Sequence, residues 1–268
     1  MKVTVLVDNL AEGCLRSEHG LSLLVRTEGG SVLFDTGQTD AWMENLRACG
    51  FEPSDIKAVA LSHGHYDHTG GLAAATTNIL EAKLYAHPAC FEPKYAKSSG
   101  MLRYIGMPPE SAVLQPKFTL NRSAVELLPG IMLSGEIAVH CRLSDQEGRF
   151  LTGENGLRPD TFEDEQSLVV KDGDNIGVLL GCAHRGVENN VLTAMEVLGV
   201  DKIDLLLGGM HLQQAGEERL AALADFLKRM NIGRIVCCHC TGLEAYKYLR
   251  ANVGPSVVLG RAGMSWQI

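Results

Sequence analysis

The sequence predicts a layered α/β fold in which helices cover a core of β-sheet. Short runs of β-branched and aliphatic residues alternate along the chain with segments whose apolar residues recur at helical spacing. The chain has 268 residues, of which 46% are hydrophobic and 21% are charged, a composition typical of globular proteins. It is therefore long enough and apolar enough to bury a sizeable core.

The first half of the chain opens with predicted strands. Val3–Val7 is a β-branched run, and Leu21–Arg26 and Ser31–Phe34 flank a glycine-containing turn, which indicates a hairpin. A helix is expected over Asp40–Cys49, because its apolar residues lie four apart and Gly50 follows it. Two further strands and the opening of a helix are predicted at Ala58–Leu61, Lys83–Ala86 and Thr69–Thr77.

The second half is more regular. Leu168–Val170 and Gly177–Leu180 flank a polar turn and predict another hairpin, and Glu217–Met230 has the apolar spacing of an amphipathic helix. The other elements expected here are two helices and three strands, at Val187–Leu198, Leu243–Leu249, Ile203–Leu207, Ile235–Cys238 and Ser256–Leu259. Residues 88–120 contain five prolines, so we expect an irregular insertion or lid within a single domain that spans residues 1–268.

Charge and hydropathy argue against several classes of function. The 24 basic and 32 acidic residues give a net charge of -8, which disfavours binding to a nucleic-acid backbone. The longest apolar runs fall far short of the roughly 20 residues needed to span a membrane. The N-terminus lacks the pattern of a signal peptide. We therefore expect a cytoplasmic protein with a small-molecule substrate, whose 8 cysteines are thiols or ligands rather than disulfides.

The strongest local signal is a cluster of three histidines and one aspartate within six residues, directly after a predicted strand: His63, His65, Asp67 and His68. Imidazole and carboxylate ligands together suit Zn, Fe or Mn. A solvated histidine-rich turn is the alternative, but the embedded aspartate and the flanking glycines disfavour it. The cluster predicts a site for a divalent transition metal.

This cluster resembles the HxHxDH signature of the metallo-β-lactamase superfamily. Leu33–Gly37 is similar to the early aspartate motif of that family, and Cys238–Gly242 is similar to the segment with its last histidine ligand. The resemblance implies a four-layer αββα sandwich with inserted loops and two metal ions at one edge. It also implies a role for six residues: His63 and His65 would bind one metal, Asp67, His68 and His239 would bind the other, and Asp35 would support the metal loop without binding.

The chain departs from the family pattern at one ligand. The family supplies a further histidine and, about twenty residues later, a bridging aspartate or cysteine. The resemblance places Cys182 at the bridging position, although a small buried thiol is an equal alternative. No histidine precedes it at the expected distance, where residues 163–165 are all acidic. We expect that His184 has taken over the missing ligand role.

Further motifs resemble one branch of the superfamily, named for 7,8-dihydropterin-6-methyl-4-(ribofuranosyl)aminobenzene-5'-phosphate synthase. The matching segments are Glu18–Ser22, Gly135–Ile137, Gly181–His184, Gly208–Leu212 and His239–Gly242. Membership of a branch does not fix the substrate.

Hydrolysis is the simplest chemistry that such a site implies. We expect one or two divalent metal ions, with zinc as the first choice and Fe or Mn as alternatives. Such an ion can lower the pKa of bound water from roughly 15.7 to about 7 and so supply hydroxide. The candidate catalytic residues are Asp67, His211 and His19, although a histidine buried in the core is an alternative for the last two. The expected function is a metal-dependent hydrolase of a small soluble substrate, for which phosphorylated and pterin-like compounds are the candidates.

Two other functions remain open on the sequence. The first is a transferase similar to the synthase of that branch, which would use the same ligands. The second is a non-enzymatic metal or ligand sensor, since one expected ligand histidine is missing. A di-iron reductase and a nuclease are disfavoured, because the metal loop retains its histidines and no large additional domain is present.

Among the cysteines, only Cys182 is retained as a candidate ligand. Cys237, Cys238 and Cys240 flank His239, but neighbouring strand residues point to opposite faces, so they cannot all reach one ion. Basic residues that could bind a phosphate group are Arg103, Lys94, Lys97, Arg158 and Arg185. A charged loop residue is more often simply solvated.

Overall fold

The computed structural model describes residues 1–75, 81–141 and 149–268. Its strands, numbered along the chain, are β1 (Lys2–Val7), β2 (Ser22–Thr27), β3 (Gly30–Phe34), β4 (Ile56–Ala60), β5 (Lys83–Ala86), β6 (Lys94–Ser98), β7 (Met101–Tyr104), β8 (Phe118–Leu120), β9 (Ser123–Leu128), β10 (Ile131–Gly135), β11 (Phe150–Thr152), β12 (Arg158–Pro159), β13 (Leu168–Asp172), β14 (Asn175–Leu180), β15 (Ile203–Gly209), β16 (Ile232–Cys238), β17 (Val257–Leu259) and β18 (Ser265–Gln267).

The α-helices of the described residues are fewer than the strands. They are α1 (Ala41–Ala48), α2 (Tyr66–Thr69), α3 (Leu72–Ala75), α4 (Pro109–Ala112), α5 (Val187–Leu198), α6 (Glu217–Arg229) and α7 (Leu243–Val253). Single turns of 3-10 helix lie at Pro53–Asp55, Pro88–Phe91, Gln115–Lys117, Glu154–Gly156 and His239–Thr241. None of the helices in the described part of the chain is long and apolar enough to cross a membrane.

Two seven-stranded sheets form the centre of the fold. The first has the order β18-β1-β2-β3-β4-β5-β8, and the second has the order β17-β16-β15-β14-β13-β10-β9. Strands β3, β4, β5 and β8 run parallel to one another, as do β14, β15, β16 and β17. A smaller sheet of order β12-β11-β6-β7 is separate from both.

The apolar residues explain the layering. Leu205 and Leu207 of β15 belong to a buried cluster that contains residues of both large sheets, whereas Leu206 between them packs in a cluster with the helices α5, α6 and α7. A strand that is buried on both faces has a continuous apolar run, as this one does. On the other side, Trp42 and Leu46 of α1 cover the first sheet. The predicted four-layer α-β-β-α sandwich is confirmed.

Most of the predicted elements are confirmed, and the strand Lys83–Ala86 and the helix Val187–Leu198 match residue for residue. The helix predicted at Thr69–Thr77 is divided, because Gly70 and Gly71 separate α2 from α3, and its last residues lie outside the described part of the chain.

The prediction that residues 88–120 are irregular is wrong for much of the segment. Strands β6 and β7 pair as a hairpin, and β8 joins the first sheet beside β5. Three of the prolines, Pro88, Pro109 and Pro116, lie in the first turn of a short helix, where a missing N–H group costs nothing. Closure of this segment over a ligand stays a prediction.

Candidate metal centre

The predicted site residues lie at the carboxyl ends of strands from both large sheets. Asp35 follows β3, the HxHxDH loop follows β4, and His211 follows β15. Cys182 and His184 follow β14, and His239 follows β16. Ligands in open α/β sheets bind in the crevice outside these strand ends. The fold therefore brings residues far apart in sequence to one edge.

Backbone strain is concentrated at this edge. Seven non-glycine residues of the described chain have positive φ angles, and four of them lie directly at these strand ends: Asp35 (61°), Ala183 (55°), His211 (49°) and His239 (47°). A non-glycine residue held in this region costs about 1–3 kcal/mol, and such residues concentrate at functional sites. At each of these positions the left-handed residue turns the chain abruptly out of its strand and directs the following side chains to a common point.

Three buried histidines form the first group of candidate ligands. Nδ1 of His65 lies 3.2 Å from Nε2 of His184, and the ring centroids of His63 and His184 are 4.9 Å apart. Among the described residues, Nε2 of His63, Nε2 of His65 and Nδ1 of His184 find no hydrogen-bond partner. Burial, the largest effect, and neighbouring imidazoles lower the pKa of His63 and His184 well below the usual range. Neutral imidazoles are the form that binds metal.

The two nitrogens that face each other, Nδ1 of His65 and Nε2 of His184, have the spacing that fits one metal ion. Two nitrogens bound to a tetrahedral zinc at about 2.0–2.1 Å lie about 3.3 Å apart. The separation of 3.2 Å between His65 and His184 has this value. This spacing, the unpartnered buried Nε2 of His63 and the donor set fit a divalent transition metal. His184 lies where the sequence prediction expected a replacement ligand.

Asp35 and Ser62 orient two histidines of the loop. Asp35 is fully buried; its carboxylate accepts hydrogen bonds from the backbone N–H of Ser62 at 2.7 Å and from its hydroxyl at 2.6 Å. The same carboxylate lies 2.6 Å from Nδ1 of His68, and the Ser62 hydroxyl lies 2.8 Å from Nδ1 of His63. Both histidines therefore direct Nε2 into the site. Asp35 makes the contacts expected of a residue that supports the metal loop.

The second group of candidate ligands is centred on Asp67. Its Oδ2 lies 3.3 Å from Nε2 of His239 and 3.1 Å from Nε2 of His19. Burial opposes the charged carboxylate, but the hydrogen bonds from His19 and His239 hold the pKa of Asp67 well below its usual range. Asn9 accepts a hydrogen bond from Nδ1 of His239 at 2.8 Å, and Asp8 accepts one from its backbone N–H.

Cys182 lies between the two groups. Its Sγ atom is within 4.8 Å of ligand atoms of His63 and His184 on one side and of His68 and His239 on the other. The contact to Nε2 of His68 is 3.1 Å. The thiol thus occupies the position that the sequence resemblance assigned to a bridging ligand.

A buried glutamate occupies the place of the missing histidine. The carboxylate of Glu165 accepts hydrogen bonds from the backbone N–H groups of His184 and Arg185 and from the side-chain amide of Asn190. Burial, the largest effect, raises the pKa of Glu165 to about 7. Glu165 therefore holds the loop that carries His184, rather than pointing at the metal site itself.

The two further candidate histidines also lie at the site. His19 is half exposed and contacts Asp67, as given above, and its ring centroid is 4.9 Å from that of His239. The ring of His211 lies 4.3 Å from that of His184, and its Nδ1 atom has no partner. Sequence analysis placed both near the centre, and the structure brings both there.

A cleft of about 500 Å³ opens over the candidate ligands, part of it open to solvent. Apart from histidines, Arg103 of β7 is the basic residue that lines it, with its guanidinium 5.8 Å from the centre of the Tyr66 ring. Lys94, another candidate for phosphate binding, is buried between Asp160 and Asp164 at 3.0 Å and 2.9 Å. Arg158 pairs with Glu92. Arg103 is thus the candidate that faces the cleft.

Sequence analysis missed several contributors to the site. Asn9 and Ser62 act through histidines, and no motif in a single sequence marks such contacts. Cys240 was set aside, yet its Sγ atom lies within 4.8 Å of ligand atoms of Cys182 and His211. The alternation argument does not apply to Cys240, because it lies in the 3-10 turn after β16 and follows the left-handed residue His239.

The sequence profile of the Metallo-beta-lactamase superfamily matches residues 16–206. The chain belongs to the metallo-beta-lactamase superfamily. A solved superfamily structure, Tm1679, described as a metal-dependent hydrolase, has a TM-score of 0.85 and 30% identity and covers 100% of this chain and 99% of that one.

Two archaeal relatives also match this superfamily protein over most of its length. The 7,8-dihydropterin-6-methyl-4-(beta-D-ribofuranosyl)-aminobenzene-5'-phosphate synthase of Methanocaldococcus jannaschii is 29% identical over 244 residues, which cover 85% of this chain and 83% of the relative. An uncharacterized protein of the same archaeon is 31% identical over 254 residues and covers 91% of each chain. The resemblance found in the sequence motifs is confirmed.

Proposed function

We propose that this chain is a metal-dependent hydrolase that acts on a small, soluble substrate with an anionic group, phosphorylated or pterin-like. The observation that supports this most strongly is that Cys182, in the lining of an open cleft, lies within 4.8 Å of ligand atoms of His63 and His184 on one side and of His68 and His239 on the other. The first group, His63, His65 and His184, would hold one divalent ion. The second group, Asp67, His68 and His239, would hold the other ion. Zinc fits this donor set best, and Fe is the alternative with similar ligands.

When bound, a divalent metal supplies Lewis-acid chemistry and activates water at neutral pH. The residues of the chain orient the metal ligands and keep water away from them. Asp35 and Ser62 fix the rings of His68 and His63, so that Nε2 of each ring faces the site. Supporting contacts of this kind are worth about 10–100-fold in metal affinity or activity.

Proton transfer is assigned to residues at the rim and base of the cleft. Asp67 carries its charge on the side that His19 and His239 contact, so it would accept a proton from the attacking water or hold it in place. His211 lines the cleft beside His184, and its Nε2 atom would donate a proton to the leaving group, because its Nδ1 atom is buried. A general acid or base contributes about 10²–10⁴-fold to the rate.

The upper part of the cleft favours an anionic substrate. Arg103 lies over the Tyr66 ring, and no acidic partner neutralises it among the described residues. Phe150 lines the same cleft and would contact a planar ring. A substrate that carries a carboxylate or phosphate group would therefore be positioned by Arg103 with its reactive bond over the candidate ligands.

A synthase-like transferase is the second candidate. Its support is the 29% identity to the archaeal synthase across 85% of this chain. The same ligands would serve both reactions, so variants of the ligands do not separate the two functions. The substrate panel below does.

The test is turnover by the zinc-loaded protein of a panel of chromogenic phosphodiesters, phosphomonoesters, carboxylic esters and lactones. We expect turnover of at least one class, abolished by a chelator and restored by zinc. The matched control is the double variant His65→Ala with Asp67→Ala, which should lose both metal and turnover. Fully metal-loaded protein with no turnover across the panel would overturn the hydrolase proposal and favour the transferase.

A further inference from the structure

We propose that Cys240 is a second thiolate ligand of the metal centre and that, with Cys182 and His211, it forms a sulfur-rich ligand position beside the histidine and aspartate groups. This inference rests on the metal centre proposed above. It assigns to Cys240 a role that the HxHxDH family pattern described above does not include.

The three side chains converge on one point. The Sγ atoms of Cys182 and Cys240 and a ring nitrogen of His211 all lie within 4.8 Å of one another. Both cysteines are buried, with exposed fractions of 3% and 7%. Nδ1 of His211 is buried and has no hydrogen-bond partner in the described structure. A histidine with an unpartnered buried nitrogen that lies beside two buried thiols is the arrangement of a ligand set rather than of an apolar core.

The surrounding backbone holds Cys240 in this place. Its Sγ atom accepts a hydrogen bond from the backbone N–H of His211 at 3.2 Å, and its carbonyl oxygen accepts hydrogen bonds from Leu212 at 3.1 Å and Gln213 at 3.2 Å. The segment after β15 is thereby docked on the turn after β16. Hydrogen bonds to sulfur stabilise its charged form and tune the metal that it binds.

The glycine opposite Cys240 leaves room for the thiol. A Cβ atom at Gly209 would lie 2.7 Å from Sγ of Cys240 and 2.4 Å from the carbonyl oxygen of Gly181. Any side chain at Gly209 would displace the sulfur from the site. The sequence thus combines a glycine at the end of β15 with a cysteine at the end of β16.

The two neighbouring cysteines do not share this position. Cys238 belongs to the cluster between the two large sheets, and Cys237 belongs to the cluster under the helices on the opposite face. Cys237 and Cys238 therefore point to opposite faces of β16, as expected for neighbouring strand residues, whereas Cys240 lies beyond the strand in the 3-10 turn. Two thiolates make the centre soft, which favours zinc, cobalt or iron over magnesium and manganese.

The test is the absorption spectrum of the cobalt-substituted protein, because sulfur-to-cobalt(II) charge transfer absorbs in the near ultraviolet only when a thiolate binds the ion. The variants are Cys240→Ser, Cys182→Ser and both together, with Cys238→Ala as the matched buried control. We expect the band in the wild-type protein, about half its intensity in each single serine variant, no band in the double variant, and the wild-type band in the control.

Cobalt content is measured on the same samples, and circular dichroism confirms that each variant is folded. A Cys240→Ser variant that keeps the full band while Cys182→Ser abolishes it would overturn the role of Cys240 and leave the metal centre intact. A wild-type protein that takes up no cobalt and no zinc would overturn the metal centre itself, so the two failures are distinguishable.

Discussion

The carboxylate Oδ2 of Asp35 lies 2.6 Å from Nδ1 of His68, and both side chains are fully buried. This contact leaves Nε2 of His68 facing Cys182 at 3.1 Å. A residue at the end of β3 thus fixes the ring orientation of a residue in the loop after β4. The arrangement links the architecture of the sheet to the donor atoms of the site.

Replacing Asp35 with alanine should weaken metal binding about 10–100-fold, because His68 would lose the contact that orients its ring. Competition with a chromogenic chelator measures this affinity. Asp174→Ala is the control, because Asp174 lies exposed in the turn between β13 and β14. An Asp35→Ala protein with the affinity of this control would contradict the role of the contact.

Replacing Glu165 with alanine should destabilise the metal-free protein by about 1–3 kcal/mol, since the buried N–H groups of His184 and Arg185 would lose their acceptor. The loop that carries His184 would also loosen, so we expect less metal to be bound by the first ligand group. Urea unfolding and metal analysis measure the two effects. Glu163→Ala, at an exposed neighbouring position, is the matched control. Equal stability of the two variants would show that Glu165 does not hold the loop.

Replacing Lys94 with methionine should destabilise the protein by about 3–5 kcal/mol, because two buried carboxylates would lose their counter-charge. Asp164 also accepts a hydrogen bond from the backbone N–H of Gly64 at 2.8 Å, so the effect should extend to the metal loop. Chemical unfolding gives the stability, and Lys97→Met on the exposed part of the same strand is the control. A loss no larger than that of the control would show that the buried cluster is not a net stabiliser.

The sequence predicts the layers of the fold and most of the candidate site, because both depend on local patterns. Apolar periodicity marks the strands and helices, and the HxHxDH cluster is contiguous. The assignment of His184 to a vacant ligand role also needed only the chain order, and the structure brings it 3.2 Å from His65.

The features that sequence analysis missed depend on conformation rather than on pattern. Cys240 faces the site because His239 adopts a left-handed backbone, which non-glycine residues rarely do and which no residue type signals. The hairpin of β6 and β7 was missed because the prolines on either side of it indicate irregular structure, although three prolines of this segment lie in the first turn of short helices. Contacts such as that between Asn9 and His239 span 230 residues and arise only from tertiary packing.

Replacing Arg103 with alanine should raise KM for an anionic substrate about tenfold or more, since a hydrogen bond to a charged group contributes about 1.5–3 kcal/mol. The kcat value should change little, because Arg103 would bind ground state and transition state alike. Steady-state kinetics with an anionic ester and its neutral analogue measure the effect, and KM for the neutral analogue should be unchanged. Equal losses with both substrates would show that Arg103 does not bind the anionic group.

The most direct test of the two-group metal centre is a crystal structure of the zinc-loaded protein with anomalous scattering measured on both sides of the zinc edge. We predict one anomalous peak within bonding distance of His63, His65 and His184, and a second beside Asp67, His68 and His239 with Cys182 between them. An absence of zinc from this edge of the sandwich, or a zinc ion there that His184 does not contact, would contradict the account.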